Sequence, residues 1–250
     1  MTLHEDDRGL LYGDALFETV VVRAGRVRWL EHHLTRLERS GAALGFSRAR
    51  IDQGLEALRG LALRGDGIWR VTVSRDGEGA PFGGTGSVLV RGRPLGTPSR
   101  PRMCILRGWY WPEDPLAEHK TSSWLRYAEA RRRAVRAGFD DALLATRDGR
   151  IGEACAASVF AVVDGRVYTP VAQGILASVT RAQLLAGAPE HGVEVKQCVF
   201  TLDMTRRATE IVVVSAGVGA LAARALVVDG VERALEDRLA RDWSAWMERV

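Results

Sequence analysis

Three polar side chains between residues 118 and 181 have types and an order that could do chemistry. Lys120 precedes a helix-like segment, Glu153 lies in a strand-like run of small apolar residues, and Thr180 opens an amphipathic helix. Together, these groups could hold a phosphorylated pyridine aldehyde. The amine would form a Schiff base, the carboxylate would keep the ring nitrogen protonated, and the helix start would bind the phosphate. Each residue also has an ordinary interpretation. Lys120 is equally consistent with a surface lysine, Glu153 with an acid that faces solvent or pairs with a cation, and Thr180 with a helix N-cap.

The elements that must position these groups mix strands and helices without the regular alternation of a doubly wound sheet, which favours an α+β fold. Before residue 112, the apolar pattern predicts helices at about 30–44 and after a cap at Ser47, and strands at 16–22, 26–29, 68–74, 87–90 and 103–111. After residue 118, it predicts helices at about 123–137, from 180, at 203–208 and around 235–246, and strands at 142–146, 151–154, 158–163, 166–169, 193–200 and 210–215. Asp-Gly pairs at 148–149, 164–165 and 229–230 predict tight hairpins.

A domain boundary is expected at the stretch Pro112-Glu113-Asp114-Pro115. Two prolines so close together interrupt regular structure, because each lacks an N–H donor and has a fixed φ. We therefore predict a small N-terminal domain at 1–111, a linker at 112–118 and a larger domain at 119–250.

Composition narrows the classes of protein to consider. The chain has 250 residues and is 46% hydrophobic, which is enough for a folded core. Cys104, Cys155 and Cys198 lack the spacing of a disulfide framework or a zinc site, so we expect no metal. The sequence shows neither a secretory leader nor an apolar run of about 18 residues, which predicts a cytoplasmic protein with no membrane partner.

The net charge of +4 comes mainly from arginines that are spread along the chain. The densest run, at residues 131–133 with Arg136, would spread around a helix, which indicates a solvated surface and not a nucleic-acid site. A mildly basic enzyme that attracts an acidic small molecule explains the charge equally well.

The sequence resembles the class IV aminotransferase family, the fold-type-IV pyridoxal-phosphate enzymes, in six stretches that occur in the family's order. These are residues 7–19, 33–37, 74–75, the Lys120 motif, 148–153 and 174–181. The resemblance implies a small N-terminal α/β domain, a larger domain with a mixed, barrel-like sheet, pyridoxal 5'-phosphate as cofactor, an amino compound as substrate, and a homodimer.

The resemblance also implies roles for individual residues. Lys120 would form the Schiff base and then move protons, and Glu153 would pair with the pyridine nitrogen. The phosphate ligands implied by the same matching are Arg36, the backbone N–H of Val179, Thr180, Ser215 and Gly217. A partner for the cofactor's phenolic oxygen is less obvious, with Tyr127 and Ser122 as candidates.

The reaction is suggested by the triplet Phe17-Glu18-Thr19, which is similar to that of aminodeoxychorismate lyases. Branched-chain members have glycine and arginine where this chain has Thr19 and Val21, which counts against that activity. The resemblance therefore implies a lyase that makes 4-aminobenzoate and pyruvate for folate synthesis. Arg75, with Phe17 and Thr19, would contact the substrate.

Other functions are also consistent with the sequence. A D-amino-acid or other class IV aminotransferase would use the same lysine and differ only in its side-chain pockets. A non-catalytic member is a further alternative, because serine and alanine replace family residues at Ser123, Ala157 and Ala177. The run from Gly217 to Ala222 fits a dinucleotide-binding pattern, but it leaves too little chain for a crossover helix.

Overall fold

The computed structural model describes residues 4–77 and 83–249, which form two compact units. The first unit comprises Met1–Thr97 and His119–Trp124, and the second comprises Pro98–Glu118 and Leu125–Val250. These bounds differ from the predicted domains for two reasons. The strand Arg102–Arg107 pairs with strands of the second unit, whereas the short segment that carries Lys120 pairs with a strand of the first.

The first unit is a four-stranded antiparallel sheet with helices packed on one face. Its strands are β1 (Ala15–Arg23), β2 (Arg26–Val27), β3 (Gly67–Ser74) and β4 (Val88–Arg93), in the order β2-β1-β3-β4. Its helices are α1 (Arg8–Tyr12), α2 (Leu30–Ala43) and α3 (Arg48–Arg59). Leu34 and Leu58 pack with Val20 and Val71 in one buried cluster, as the helical spacing of the leucines predicts. The predicted cap at Ser47 is confirmed, because its hydroxyl accepts a hydrogen bond from Arg50 N.

The second unit contains two sheets that share one hydrophobic core. Its strands are β5 (Arg102–Arg107), β6 (Asp141–Ala145), β7 (Arg150–Ala154), β8 (Ser158–Val163), β9 (Arg166–Pro170), β10 (Val195–Cys198), β11 (Phe200–Thr201), β12 (Ala208–Ser215), β13 (Gly219–Ala222), β14 (Ala225–Val228) and β15 (Val231–Ala234). The first sheet has the order β11-β7-β6-β5-β14-β15, and the second has the order β10-β9-β8-β12-β13. The helices are α4 (Leu125–Arg136), α5 (Val179–Gly187), α6 (Leu202–Arg207) and α7 (Arg238–Met247). Leu143 and Ile151 of one sheet and Val159 and Ile211 of the other lie in the same buried cluster.

The predicted α+β class is confirmed, and several elements differ in extent. The strand expected at 103–111 ends at Arg107, because Gly108 adopts a positive φ of 79°. The single strand expected at 193–200 is two strands, β10 and β11, which belong to different sheets. Gly219–Ala222 forms strand β13 antiparallel to β12, so the dinucleotide pattern is not followed by a crossover helix.

The described residues contain neither a membrane-spanning helix nor a cluster of metal-binding side chains. Among residues 4–77 and 83–249, no helix has the length and apolar character that crossing a membrane requires. The same residues contain no group of three or more His, Cys, Asp or Glu side chains placed to bind a metal ion.

A buried ion pair joins β1 to α2 in the first unit. Glu18 projects from β1 into the helix-covered face and is 1% exposed. Its carboxylate accepts hydrogen bonds from Arg36 Nε at 2.7 Å and Nη2 at 2.6 Å, and its Oε2 lies 2.7 Å from His33 Nδ1. Burial by itself raises the pKa of Glu18, but the charge and hydrogen bonds of Arg36 and the hydrogen bond of His33 outweigh it and lower the pKa to about 2.

Replacing Glu18 by glutamine should destabilise the protein strongly at pH 7. The change leaves the Arg36 guanidinium buried without its carboxylate, which costs about 3 to 5 kcal/mol of unfolding free energy. Because the pKa of Glu18 is lower in the folded than in the unfolded state, its contribution is full above the ordinary value of 4.5 and is lost as the pH falls toward about 2. Urea unfolding at pH 7 and at acid pH should show the difference between the two proteins shrinking across that window.

The matched control is Glu38→Gln on the same helix α2. Glu38 forms an exposed ion pair with Arg48, so its replacement should leave the urea midpoint nearly unchanged. If Glu18→Gln behaved like this control at pH 7, the ion pair with Arg36 would not be the interaction that fixes α2.

Candidate functional site

Lys120 is fixed by backbone pairing with the beginning of β1. Phe17 N donates to Lys120 O at 2.8 Å, and Ser122 N donates to Ala15 O at 2.7 Å. The Lys120 ammonium lies 4.5 Å from the centre of the Phe17 ring and 5.3 Å from that of Trp124. These two rings meet edge to face with their centres 5.7 Å apart. The amine is therefore held against a wall of two aromatic rings, which attract a cation through their faces.

Arg70 contacts the same aromatic ring, and sequence reasoning missed it. Its guanidinium carbon lies 3.5 Å from the centre of the Phe17 ring, its Nε donates to Thr72 Oγ1 at 3.1 Å, and its Nη2 is 3.5 Å from Ser122 Oγ. Burial lowers the pKa of Arg70, and no carboxylate of the described residues contacts its guanidinium. A half-buried cation whose described partners are neutral suits an anionic ligand.

The strand pairing explains why Arg70 reaches Phe17. Phe17 lies opposite Thr72 and Thr19 opposite Arg70 in the ladder between β1 and β3, so all four side chains share one face of the sheet. Glu18 alternates to the other face, where the helices pack. The alternation of the run from Ile68 to Val73 was visible in the sequence, but the register that brings Arg70 to Phe17 was not.

The structure places the other predicted residues of the first unit in ion pairs. Arg75 donates from Nε to both oxygens of Asp14, at 3.0 and 2.9 Å, and from Nη1 to Gly45 O at 2.8 Å. Its guanidinium also lies over the Phe46 ring. Arg36 is paired with Glu18 as described above. The roles of Arg75 toward a substrate and of Arg36 toward a phosphate stay predictions.

Glu153 projects from β7 into the interior of the second unit. It is 6% exposed, and its Oε1 accepts a hydrogen bond from Tyr127 OH at 2.8 Å. Its Oε2 accepts from Leu176 N at 3.3 Å. Two donors to a buried carboxylate stabilise its charged form, and a charged carboxylate suits a protonated heterocyclic nitrogen. Tyr127 thus contacts Glu153, and its role toward a phenolic oxygen stays a prediction.

Helix α5 begins one residue earlier than predicted. The N-cap is Ser178, whose hydroxyl accepts from Arg181 N at 3.2 Å, and Val179 and Thr180 are the first two helical residues. The N–H groups of these positions have no acceptor within their own helix, so they are available to an anion. Arg181 is buried and donates to Thr169 Oγ1 and Pro170 O, which ties the helix start to the end of β9.

Ser215 and Gly217 lie at the end of β12 and in the turn to β13, and α5 packs against β12. Opposite Val214 on the neighbouring strand is Ser158, whose Oγ is buried without a hydrogen-bond partner among the described residues. A polar group of a bound ligand could form a hydrogen bond with this buried hydroxyl.

Groups of the second unit fit two parts of the expected cofactor: the buried carboxylate of Glu153 suits a protonated ring nitrogen, and the N–H groups of Val179 and Thr180 suit a phosphate. Lys120 and Arg36 belong to the first unit. The fit rests on the donors to Glu153, the start of α5 and the unpartnered Ser158 hydroxyl.

Comparison with known proteins gives a consistent result. Residues 15–226 match the family described as amino-transferase class IV. A candidate branched-chain-amino-acid aminotransferase of Methanocaldococcus jannaschii is 30% identical in an alignment of 227 positions that covers 82% of this chain and 76% of that protein. A D-alanine aminotransferase of Bacillus licheniformis is 25% identical in an alignment of 224 positions that covers 84% of this chain and 78% of that protein.

A solved structure supports the same assignment. The 4-amino-4-deoxychorismate lyase from Pseudomonas aeruginosa is 28% identical and has a TM-score of 0.83, with 100% of this chain and 95% of that chain covered. The cofactor expected from the sequence, pyridoxal 5'-phosphate, is that of the family. The chain belongs to the class IV aminotransferase family of pyridoxal-phosphate-dependent enzymes.

Proposed function

We propose that the protein is a 4-amino-4-deoxychorismate lyase, which converts its substrate to 4-aminobenzoate and pyruvate and serves folate synthesis. The observation that carries the proposal is the placement of Arg70 and Lys120 on the same Phe17 ring. A cation with no carboxylate partner in the described chain suits an anionic substrate. The rings of Phe17 and Trp124, which meet edge to face, offer an apolar wall to a cyclic substrate.

Lys120 is the residue proposed to attach the cofactor covalently. It is one of two lysines, with Lys196, in a chain that has 35 lysine and arginine residues. Only a primary amine can condense with an aldehyde, and a guanidinium, which stays protonated, cannot replace it. After the substrate amine displaces it, Lys120 Nζ would accept the proton from the carbon beside that amine.

The bound cofactor supplies an electron sink for the carbanion that forms when this proton leaves. Glu153 would hold the proton on the ring nitrogen, and Arg36, Val179, Thr180, Ser215 and Gly217 would bind the phosphate. Arg70 would bind a substrate carboxylate in place of Arg75, whose guanidinium is taken by Asp14. The reaction divides the substrate into pyruvate and the aromatic amine, so its atoms balance without water or a keto-acid acceptor.

A D-amino-acid aminotransferase is the second candidate, favoured by the similarity to the Bacillus licheniformis enzyme. It would use the same lysine and would require a keto-acid acceptor. For either activity we propose a cytoplasmic homodimer, as the family resemblance implies, and light scattering would measure the oligomeric state.

The cofactor assignment predicts a yellow protein whose visible absorbance depends on Lys120. Reduction with borohydride should shift the band and leave the cofactor attached to the peptide that contains Lys120, as read by mass spectrometry. Lys120→Ala should abolish the band, because no other amine replaces it. Lys196→Ala, which removes the exposed lysine of β10, should keep it. A wild-type protein that stays colourless after the cofactor is added would contradict the assignment.

The lyase assignment predicts equal amounts of pyruvate and 4-aminobenzoate from aminodeoxychorismate in the absence of any keto acid. D-alanine and L-leucine, tested as amino donors with 2-oxoglutarate, should give little product. Turnover that occurs only when 2-oxoglutarate or pyruvate is supplied as acceptor would identify a transaminase instead.

Arg70→Gln should lower kcat/KM about 100-fold, mainly through KM, because a charge-assisted hydrogen bond to a substrate carboxylate contributes roughly 1.5 to 3 kcal/mol. The visible band should remain. Arg91→Gln is the matched control, since Arg91 lies opposite Arg70 on β4 and is exposed. If Arg70→Gln left KM unchanged while Arg75→Gln raised it with the fold intact, the carboxylate would belong to Arg75.

A further inference from the structure

Four side chains of the second unit form a continuous line of hydrogen bonds that ends at Glu153. Asp114 Oδ2 accepts from Arg126 Nη1 at 2.9 Å, and Arg126 Nη2 donates to Tyr127 OH at 2.7 Å. Tyr127 OH then lies 2.8 Å from Glu153 Oε1. The line runs from a loop of the second unit through the first turn of α4 to strand β7.

The direction of every proton in this line is fixed by chemistry. An arginine guanidinium can only donate, so the Tyr127 oxygen must accept from Arg126. The single hydroxyl proton of Tyr127 is then directed to Glu153 Oε1. Leu176 N donates to the other oxygen, so both oxygens of Glu153 act as acceptors. A proton on Oε1 would compete with the hydroxyl proton of Tyr127 for the same short contact.

Arg126 is held in place from three sides, so the line is preorganised. Its guanidinium stacks on the rings of Trp111, 4.5 Å from the ring centre, and of Tyr127, at 4.7 Å. The ion pair with Asp114 is largely buried, with 15% and 24% of the two side chains exposed. Asp114 balances the arginine charge. Tyr127 therefore receives a strong donor without a net charge being added next to Glu153.

Burial and the neighbouring Glu153 raise the pKa of Tyr127, so its hydroxyl stays protonated and remains a donor. A buried carboxylate that accepts such a donor prefers its charged form. When the carboxylate faces a heterocyclic nitrogen, the proton between the two groups then stays on the nitrogen.

We propose that Asp114, Arg126 and Tyr127 are positioning residues that direct the Tyr127 proton at Glu153 and thereby keep the proton of the cofactor's ring nitrogen off the carboxylate. The inference rests on the role proposed for Glu153. It assigns roles to Asp114 and Arg126, and it gives Tyr127, a candidate partner of the phenolic oxygen in the sequence, a role toward Glu153.

The test compares the binding of two ligands to the cofactor-free full-length protein. One ligand is pyridoxal 5'-phosphate, and the other is its 1-deaza analogue, in which a C–H group replaces the ring nitrogen. Tyr127→Phe should weaken binding of pyridoxal 5'-phosphate about tenfold, the loss of one hydrogen bond to a charged group. It should change binding of the analogue less than about twofold, because the analogue has no ring-nitrogen proton to hold.

Tyr110→Phe is the matched control within the same unit. Tyr110 is also buried and donates its hydroxyl proton at 2.6 Å, but to the neutral carbonyl of Gln173. Its replacement should affect the two ligands equally. Arg126→Gln provides a second variant, because the glutamine amide oxygen can accept the Tyr127 proton and divert it from Glu153. We expect Arg126→Gln to weaken the binding of pyridoxal 5'-phosphate about threefold and to leave the binding of the analogue unchanged.

If Tyr127→Phe weakened the binding of both ligands equally, the inference would be overturned, since Tyr127 would then only support the fold. An unchanged affinity for both ligands would overturn it as well. Failure of the cofactor assignment has a different signature, because the wild-type protein would then not load pyridoxal 5'-phosphate through Lys120 at all. Failure of the lyase assignment alone would show as turnover that needs a keto-acid acceptor, with the binding of both ligands unaffected.

Discussion

The carboxylate of Glu18 accepts hydrogen bonds from two side chains of α2 in the interior of the first unit. A charge removed from water is costly unless it is paired, so β1 and α2 are held in one relative position by the pairing with Arg36. Since side chains alternate along a strand, fixing Glu18 toward the helices also fixes Phe17 and Thr19 toward the opposite face. The position of the aromatic ring that contacts Lys120 and Arg70 thus depends on a buried ion pair behind it.

Glu153 and Arg181 of the second unit form hydrogen bonds with neutral groups. Glu153 accepts from a hydroxyl and an amide, and Arg181 donates to a hydroxyl, a carbonyl and the side-chain amide of Gln197. Neutral partners stabilise a charge without cancelling it. Arg181 thereby ties the start of α5 to β9 and β10, whereas the Glu153 carboxylate suits a positively charged group of a ligand.

Much of the local structure could be predicted from the sequence, because it depends on residues that are close in the chain. The Ser47 cap is confirmed, and so are the hairpins at 164–165 and 229–230, where Asp164 and Asp229 adopt the positive φ that such turns require. Lys120 and Glu153 were singled out by type and order. The pairing of the Lys120 segment with β1 and of β5 with β6 and β14 joins residues far apart in the chain, and periodicity contains no information about such partners. The ion pair of Arg75 with Asp14 could not be predicted from the sequence for the same reason.

The segment His119–Trp124 belongs to the first unit although residues of the second unit precede and follow it in the chain. During synthesis on the ribosome, the four strands and three helices of the first unit emerge well before the backbone groups that bond Ala15 and Phe17. Until the segment around residue 122 has emerged, the backbone groups of Ala15 and Phe17 lack the partners that this segment supplies. The segment that carries Lys120 therefore completes the first unit only after β1 to β4 have been synthesised.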